Sequence, residues 1–277
     1  MKTLWSLTTK LLLALALLAV TFACGGSDPS VGRDKDGRPR KGSYRLAGSY
    51  QASNRTIKPL SLADLQAKYP STLIMKGHPS DGTVALTFDD APDNHFTPMI
   101  LDVLKKEGIR ATFFVVGSRA KKHPEIMQRI VAEGHVIGNH SYDHANLPKL
   151  TDAAFREQIT KTDRVIKEYT GYTPSYIRPP YGNISEEQLK WLASHHRKVV
   201  NWNVDSVDWK GLNVDEVCAN VLPFTKAGSI ILQHSGGGKG ENLLGTVEAL
   251  PHIIAAVREK GLSFATVAEM IPLRQND

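Results

Sequence analysis

The stretch TVALTFDD, residues 83–90, decides the fold. Thr83–Phe88 is a run of β-branched, aliphatic and aromatic residues whose length suits a buried strand. It ends on two neighbouring carboxylates, Asp89 and Asp90. Adjacent anions repel, and desolvation at the end of a buried strand adds to the penalty. Most Asp-Asp pairs are turns or caps. A pair at this place calls for a counter-charge, to be sought elsewhere in the chain.

Six further apolar runs follow: ATFFVV (111–116), HVIG (135–138), SYIR (175–178), RKVVNW (197–202), SIILQ (229–233) and LSFAT (262–266). Helix-period segments lie between them, at 95–107, 119–133, 151–169, 185–195, 213–222 and 244–260. Thr151 and Ser185 suit N-caps, and Gly108, Gly134, Gly171 and Gly261 suit C-terminal stops. Ahead of these, SLADLQAKY (61–69) reads as a short helix capped by Ser61. Strands alternating with helices predict parallel pairing. The expected fold class is α/β, with about seven parallel strands in a barrel or an open wound sheet.

The polar residues respect this pattern. Asp89 and Asp90 follow the first run, His140 and His144 the third, Arg178 ends the fourth, Asp205 and Asp208 follow the fifth, and His234 follows the sixth. All sit at C-terminal strand ends, which converge on one face of a parallel α/β barrel, where active sites form.

In NHSYDH (139–144) the two histidines are spaced i, i+4. On a helical turn that spacing puts both imidazoles on one face, within reach of one metal ion. Alone it is a weak signal, but one carboxylate plus two imidazoles is a catalytic divalent-metal set with open positions. The cation would neutralise one aspartate and leave the other free as a base, with Arg178 a candidate to hold it ionised. In RPPYG (178–182) two prolines stiffen the backbone before Tyr181, so its amide is a candidate oxyanion donor, although a plain turn is the simpler reading. WNVDSVDW (202–209) sets Asp205 and Asp208 beside Trp209, as on sugar-binding surfaces or in a capped loop. His234 in ILQHS (231–235) is either a satisfied core residue or, with an aspartate to orient it, a general acid.

TFDD, NHSYDH, RPPYG, DSVDW and LQH, in that order, resemble the polysaccharide deacetylase family. That family is also called the NodB-homology domain or carbohydrate esterase family four. The resemblance covers residues 80–272 or so. It implies a distorted (β/α) barrel and metal-dependent hydrolysis of N-acetyl groups on N-acetylglucosamine-type sugars. It further implies Asp89 as base, oriented by Arg178. Asp90, His140 and His144 would be ligands of zinc or of Co2+, Mn2+, Ni2+ or Fe2+, and the Tyr181 amide would donate to the oxyanion. Asp208 would tune His234 as general acid, with Asp205 in the same network, while Trp209 and Leu232 would wall the acetyl pocket. One departure is Ala91, where the family usually has glycine. If that position needs positive φ, alanine is strained by about 1 kcal/mol or more; otherwise it adds a methyl near the mouth.

The front of the chain reads as a targeting segment. Lys2 and Lys10 flank a charged start, and Leu11–Val20 is an unbroken apolar run too short for a comfortable membrane span. Thr21-Phe22-Ala23-Cys24 then resembles a bacterial lipoprotein signal, with cleavage before Cys24 leaving that thiol to carry lipid. Thr21 and Phe22 depart from the usual residues, and plain secretion after Ala23 is the alternative. The expected organisation is a signal peptide over 1–23, a flexible basic linker over 24–60, a short extension over 61–81 and a catalytic domain over 82–272. Either reading of the front places the mature chain outside the cytoplasm, with the lipidated form anchored to the outer face of the cell membrane.

The chain has 277 residues, a formal net charge of +6 and two cysteines, Cys24 and Cys218. If Cys24 is lipidated, Cys218 stands alone and serves as a small apolar residue. Part of the positive excess lies in the leader and in Arg33–Arg45, which suits a solvated tether. No nucleic-acid recognition motif appears. The expected partners are an acetylated polysaccharide, most of all cell-wall peptidoglycan, and the membrane; a monomer is expected. The rivals are an O-deacetylase of the acetylxylan type, a chitooligosaccharide deacetylase, a non-catalytic carbohydrate-binding lipoprotein, and a non-haem iron oxygenase using two histidines and a carboxylate.

Overall fold

The structure, a computed structural model, describes residues 59–238 and 240–273. The expected leader, Cys24 and the linker up to residue 58 lie outside the described residues. Nine strands are present among the described residues: β1 (Leu73–Ile74), β2 (Thr83–Ala91), β3 (Thr112–Val115), β4 (Val136–Asn139), β5 (Tyr176–Ile177), β6 (Lys198–Val200), β7 (Val204–Asp205), β8 (Ile230–His234) and β9 (Ser263–Phe264). Every pairing is parallel, and eight strands run in the order β1-β6-β5-β4-β3-β2-β8-β7, with β9 beside β2. All seven expected strands are found. The count is higher because β1 and β7 are two-residue strands.

The sheet is curled. Inward side chains of β2, β3, β5, β6 and β8 (Ala85, Phe114, Tyr176, Val200 and Ile230) form one buried cluster with Val267 and Met270. Strands at opposite ends of a flat sheet could not share such a cluster, so of the barrel and the open wound sheet the architecture is the former, a half-barrel of the distorted (β/α) kind that the resemblance implies. A larger cluster joins the outward faces of β2, β3 and β8 to the helices, including Leu86, Phe88, Phe113 and Ile231 against Leu101, Ile130, Val217 and Ile253.

The helices are α1 (Leu62–Lys68), α2 (Phe96–Glu107), α3 (Gly117–Lys122), α4 (Pro124–Ala132), α5 (Asp152–Thr170), α6 (Glu186–Ser194), α7 (Val214–Val221), α8 (Leu244–Glu259) and α9 (Val267–Met270). Ser61, Thr151 and Ser185 accept backbone N–H groups as N-caps, and Gly108 and Gly171 close their helices in the left-handed conformation. The helix expected over 119–133 is two helices. Pro124 opens α4 as its first residue, because it lacks the N–H that a continuous helix would need there.

Candidate active site

The site starts from an irregularity in β2. Phe88 pairs with Phe113 and Ala91 with Val115, so Asp89 and Asp90 together oppose the single residue Phe114. This is a β-bulge. In a regular strand successive side chains point to opposite faces, so two adjacent aspartates could not serve one site. Asp90 instead adopts φ 63°, and both carboxylates line one cavity. Ala91 has no positive φ; it is fully buried in the core between sheet and helices. The strain considered at that position falls on Asp90, and the Ala91 methyl packs in the core instead of at the mouth.

Asp90, His140 and His144 offer ligand atoms that all lie within 4.8 Å of one another. Asp90 Oδ1 is 3.4 Å from His144 Nε2 and 3.8 Å from His140 Nε2, and it is buried without a hydrogen-bond partner. His140 Nδ1 sits 2.7 Å from the Arg178 carbonyl oxygen, which makes Nδ1 the protonated nitrogen and leaves the Nε2 lone pair facing Asp90. Burial holds His140 neutral, its pKa lowered to about 3. An orphaned carboxylate oxygen beside two imidazole nitrogens, one of them tautomer-locked, fits a divalent cation. The histidines converge without the helical turn expected for them. Residues 140–144 form a loop with Ser141 and His144 at positive φ. Its carbonyls and amides are taken from outside: Gly117 and Ser118 donate to Ser141 and Tyr142, and Gln158 accepts from Tyr142 and Asp143.

Arg178 is fully buried at the end of β5. Its Nη1 donates to Asp89 Oδ1 and Thr87 Oγ1, each at 2.8 Å, while Nε and Nη2 donate to the Val200 and Asn201 carbonyls. Burial pushes the Asp89 carboxyl up, and Arg178 and His234 pull against that rise. Asp89 Oδ2 is left 3.7 Å from His140 Nε2, facing the metal set.

His234 stands beside Asp89 in register, on the adjoining strand. Its Nδ1 is 2.7 Å from Asp208 Oδ1, its backbone N–H donates to Asp208 Oδ2, and Thr246 Oγ1 donates to the same oxygen. Burial disfavours the imidazolium, but the hydrogen bond and charge of Asp208, with Asp89 and Asp90 behind them, raise its pKa to about 9. Burial would likewise raise Asp208, but the bonds from His234 and Thr246 bring it below the usual carboxylate range. Asp205 does not hydrogen-bond to this pair. Its Oδ1 accepts the Val207 N–H and shapes the turn beneath it.

These groups open into a cavity of about 410 Å³. Leu232 and Trp209, named from the resemblance as walls of the acetyl pocket, line it together with Tyr181. Tyr181 has φ 61° between Pro180 and Gly182, and its exposed ring meets the edge of His144 at 4.9 Å between centroids. Three participants escape the sequence reading. Trp202 and Glu241 line the cavity, and Thr246 secures Asp208. Trp202 lies within WNVDSVDW, so the same aromatic-plus-acid signal could have found it. Nothing local marks Glu241 or Thr246.

Comparison with known proteins gives a consistent set of likenesses. A family model described as polysaccharide deacetylase matches residues 76–200. The chain is 50% identical over 187 residues to a peptidoglycan-N-acetylglucosamine deacetylase of Bacillus cereus, covering 68% of this chain and 67% of that one. It is 32% identical over 232 residues to the Listeria monocytogenes peptidoglycan-N-acetylglucosamine deacetylase PgdA, covering 84% of this chain but 46% of the relative's length. Among solved structures, the Bc1960 peptidoglycan N-acetylglucosamine deacetylase in complex with an N-oxidanyl-benzamide superposes with a TM-score of 0.72 at 46% identity, covering 74% of this chain and 95% of the other.

Proposed function

The chain belongs to the polysaccharide deacetylase family, and from that premise we propose that it hydrolyses N-acetyl groups on the glucosamine units of cell-wall peptidoglycan. One observation carries the reading. A buried carboxylate, Asp89, and the imidazole of His234, paired with Asp208, stand in register on adjoining strands and line one cavity with the Asp90, His140 and His144 set.

Asp90, His140 and His144 would hold the metal, with zinc suited to the two imidazoles and one carboxylate. When bound, such an ion polarises a carbonyl oxygen and acidifies a water. Asp89 accepts the proton of the attacking water, with Arg178 fixing one carboxylate oxygen and leaving the other towards the site. The Tyr181 amide is suited to donate to the developing oxyanion. His234, held protonated by Asp208, delivers a proton to the departing nitrogen. An amine leaves poorly without that proton, which favours amide over ester substrates. Trp209, Trp202 and Leu232 offer apolar surface to the acetyl methyl and the sugar ring.

The charged start, the apolar run and Cys24 support placement outside the cytoplasm, tethered by lipid through a basic linker. Among the described residues no helix is long and apolar enough to cross a membrane. Retention of a Cys24→Ser variant in the membrane fraction would overturn the anchor. The activity is tested by acetate release from peptidoglycan, N-acetylglucosamine oligomers and acetylxylan, with Asp89→Asn as control. Release from peptidoglycan that is lost in the variant supports the proposal; release from acetylxylan alone overturns it.

A further inference from the structure

Asp90 needs support that its own sequence does not supply. A residue other than glycine is strained in the left-handed region, aspartate less than most, and Asp90 sits there at φ 63°. We infer that Arg119 supplies that support and acts as a positioning residue for the metal ligand Asp90. The inference rests on reading Asp90, His140 and His144 as a metal set.

Arg119 Nη1 donates to the main-chain carbonyl of Asp90 at 3.0 Å. The bond is side chain to backbone, part-buried, and reaches the bulge itself. Arg119 does not line the cavity, so it acts through Asp90 and not on substrate. The segment that carries it is tied to both halves of the metal set. Val116 N–H donates to the Ala91 carbonyl at 2.9 Å, next to Asp90. Val115 C=O accepts the His140 N–H at 2.9 Å, and Gly117 and Ser118 N–H groups donate to Ser141 and Tyr142. Residues 115–119 thus form one template against which the aspartate and the two histidines are set, and Arg119 is its side-chain reach to the aspartate.

The loop after β8 closes over this contact. A Cβ on Gly236 would stand 2.2 Å from the Asp90 carbonyl oxygen and 2.4 Å from Arg119 Nη1. Only glycine lets the loop lie there without displacing either partner. Two unlinked features, a guanidinium and a glycine 117 residues later in the chain, converge on one carbonyl.

The test is Zn2+ affinity of the full chain, read by competition with a chelating indicator, for wild type, Arg119→Met, Arg119→Lys, Gly236→Ala and His144→Ala. Arg119→Met is expected to bind Zn2+ roughly 10–100-fold more weakly, as for other residues that orient metal ligands. Arg119→Lys, which keeps a donor, is expected to recover most of that affinity, and Gly236→Ala, whose Cβ would displace the Asp90 carbonyl or the Arg119 guanidinium, to lose it. A general structural role would not give rescue by lysine. Wild-type affinity in Arg119→Met overturns the inference. If that variant does not fold, wild-type affinity in Gly236→Ala overturns it. His144→Ala separates the two readings: wild-type affinity there means that the metal set itself is misassigned.

Discussion

Asp208 grips His234 twice, through the imidazole Nδ1 at 2.7 Å and through the backbone N–H at 2.8 Å. The carboxylate therefore fixes the ring's position as well as its charge. A general acid works only while protonated, so activity must fall as pH rises through its pKa. With His234 raised to about 9, the alkaline limb of kcat is expected near that value. A bound cation offsets the Asp90 charge, so about 9 is a ceiling. Asp208→Asn removes the main charge that raises the imidazole, and its limb is expected to move down by about 1–3 pH units. A pH–rate profile checks this. An unmoved limb would assign the acid elsewhere.

Arg178 and Asp89 are expected to respond unequally to mutation. Arg178→Met leaves Asp89 buried without its ion partner, which costs about 3–5 kcal/mol. Asp89→Asn still leaves Arg178 its bonds to Thr87, Val200 and Asn201. Urea unfolding should rank Arg178→Met well below Asp89→Asn in stability, while acetate release should fall by about 10²–10⁴ in Asp89→Asn. Equal destabilisation would contradict this account of the pair.

Metal should stabilise the fold as well as support turnover. At a free Zn2+ concentration of 100 times Kd the gain is about 2.7 kcal/mol. Thermal unfolding of wild type should shift upward with Zn2+ and fall back with chelator, together with loss of acetate release. His140→Ala should show neither shift. A Zn2+-dependent shift that survives in His140→Ala would place the stabilising ion elsewhere.

Acid should weaken the base of the barrel through His135. Its Nδ1 accepts the Ala111 N–H at 3.0 Å, and burial lowers its pKa to about 4. The unfolded chain takes up the proton near pH 6.5, the folded chain only near 4. Stability from this residue is thus complete above pH 6.5 and is lost as pH falls towards 4, by about 2–3 kcal/mol. Unfolding curves at several pH values should be flatter over this window in His135→Gln than in wild type.

Ala91→Gly is expected to bring no gain in rate. The position is a buried strand site at ordinary φ, where glycine costs about 0.5–1 kcal/mol. Comparison of kcat and of the thermal midpoint decides it. A faster enzyme would show that the Ala91 methyl obstructs the site after all.

The strands long enough to carry a period were legible in the sequence. Leu73–Ile74 and Val204–Asp205 were not: Tyr176–Ile177 and Ser263–Phe264 are equally short but fall within the runs SYIR and LSFAT, whereas these two pairs show no alternation of their own and pair with neighbours remote in the chain. The break at Pro124 was written in the proline itself. The candidate metal set was legible as residue types and spacing, but the spacing pointed to a helical turn where the structure has a loop held by Gly117, Ser118 and Gln158. The bulge was invisible for the same reason as the short strands. Whether Asp89 and Asp90 share a face depends on the register against β3, and register is a property of two strands.

One residue serves as the common reference for two parts of the site. The main-chain carbonyl of Arg178 orients His140, and its side chain orients Asp89. Parts located from separate supports accumulate the play of both. Parts located from one support share its play, and their spacing is preserved. A displacement of Arg178 would carry the His140 imidazole and the Asp89 carboxylate together, so their 3.7 Å separation would change less than either position.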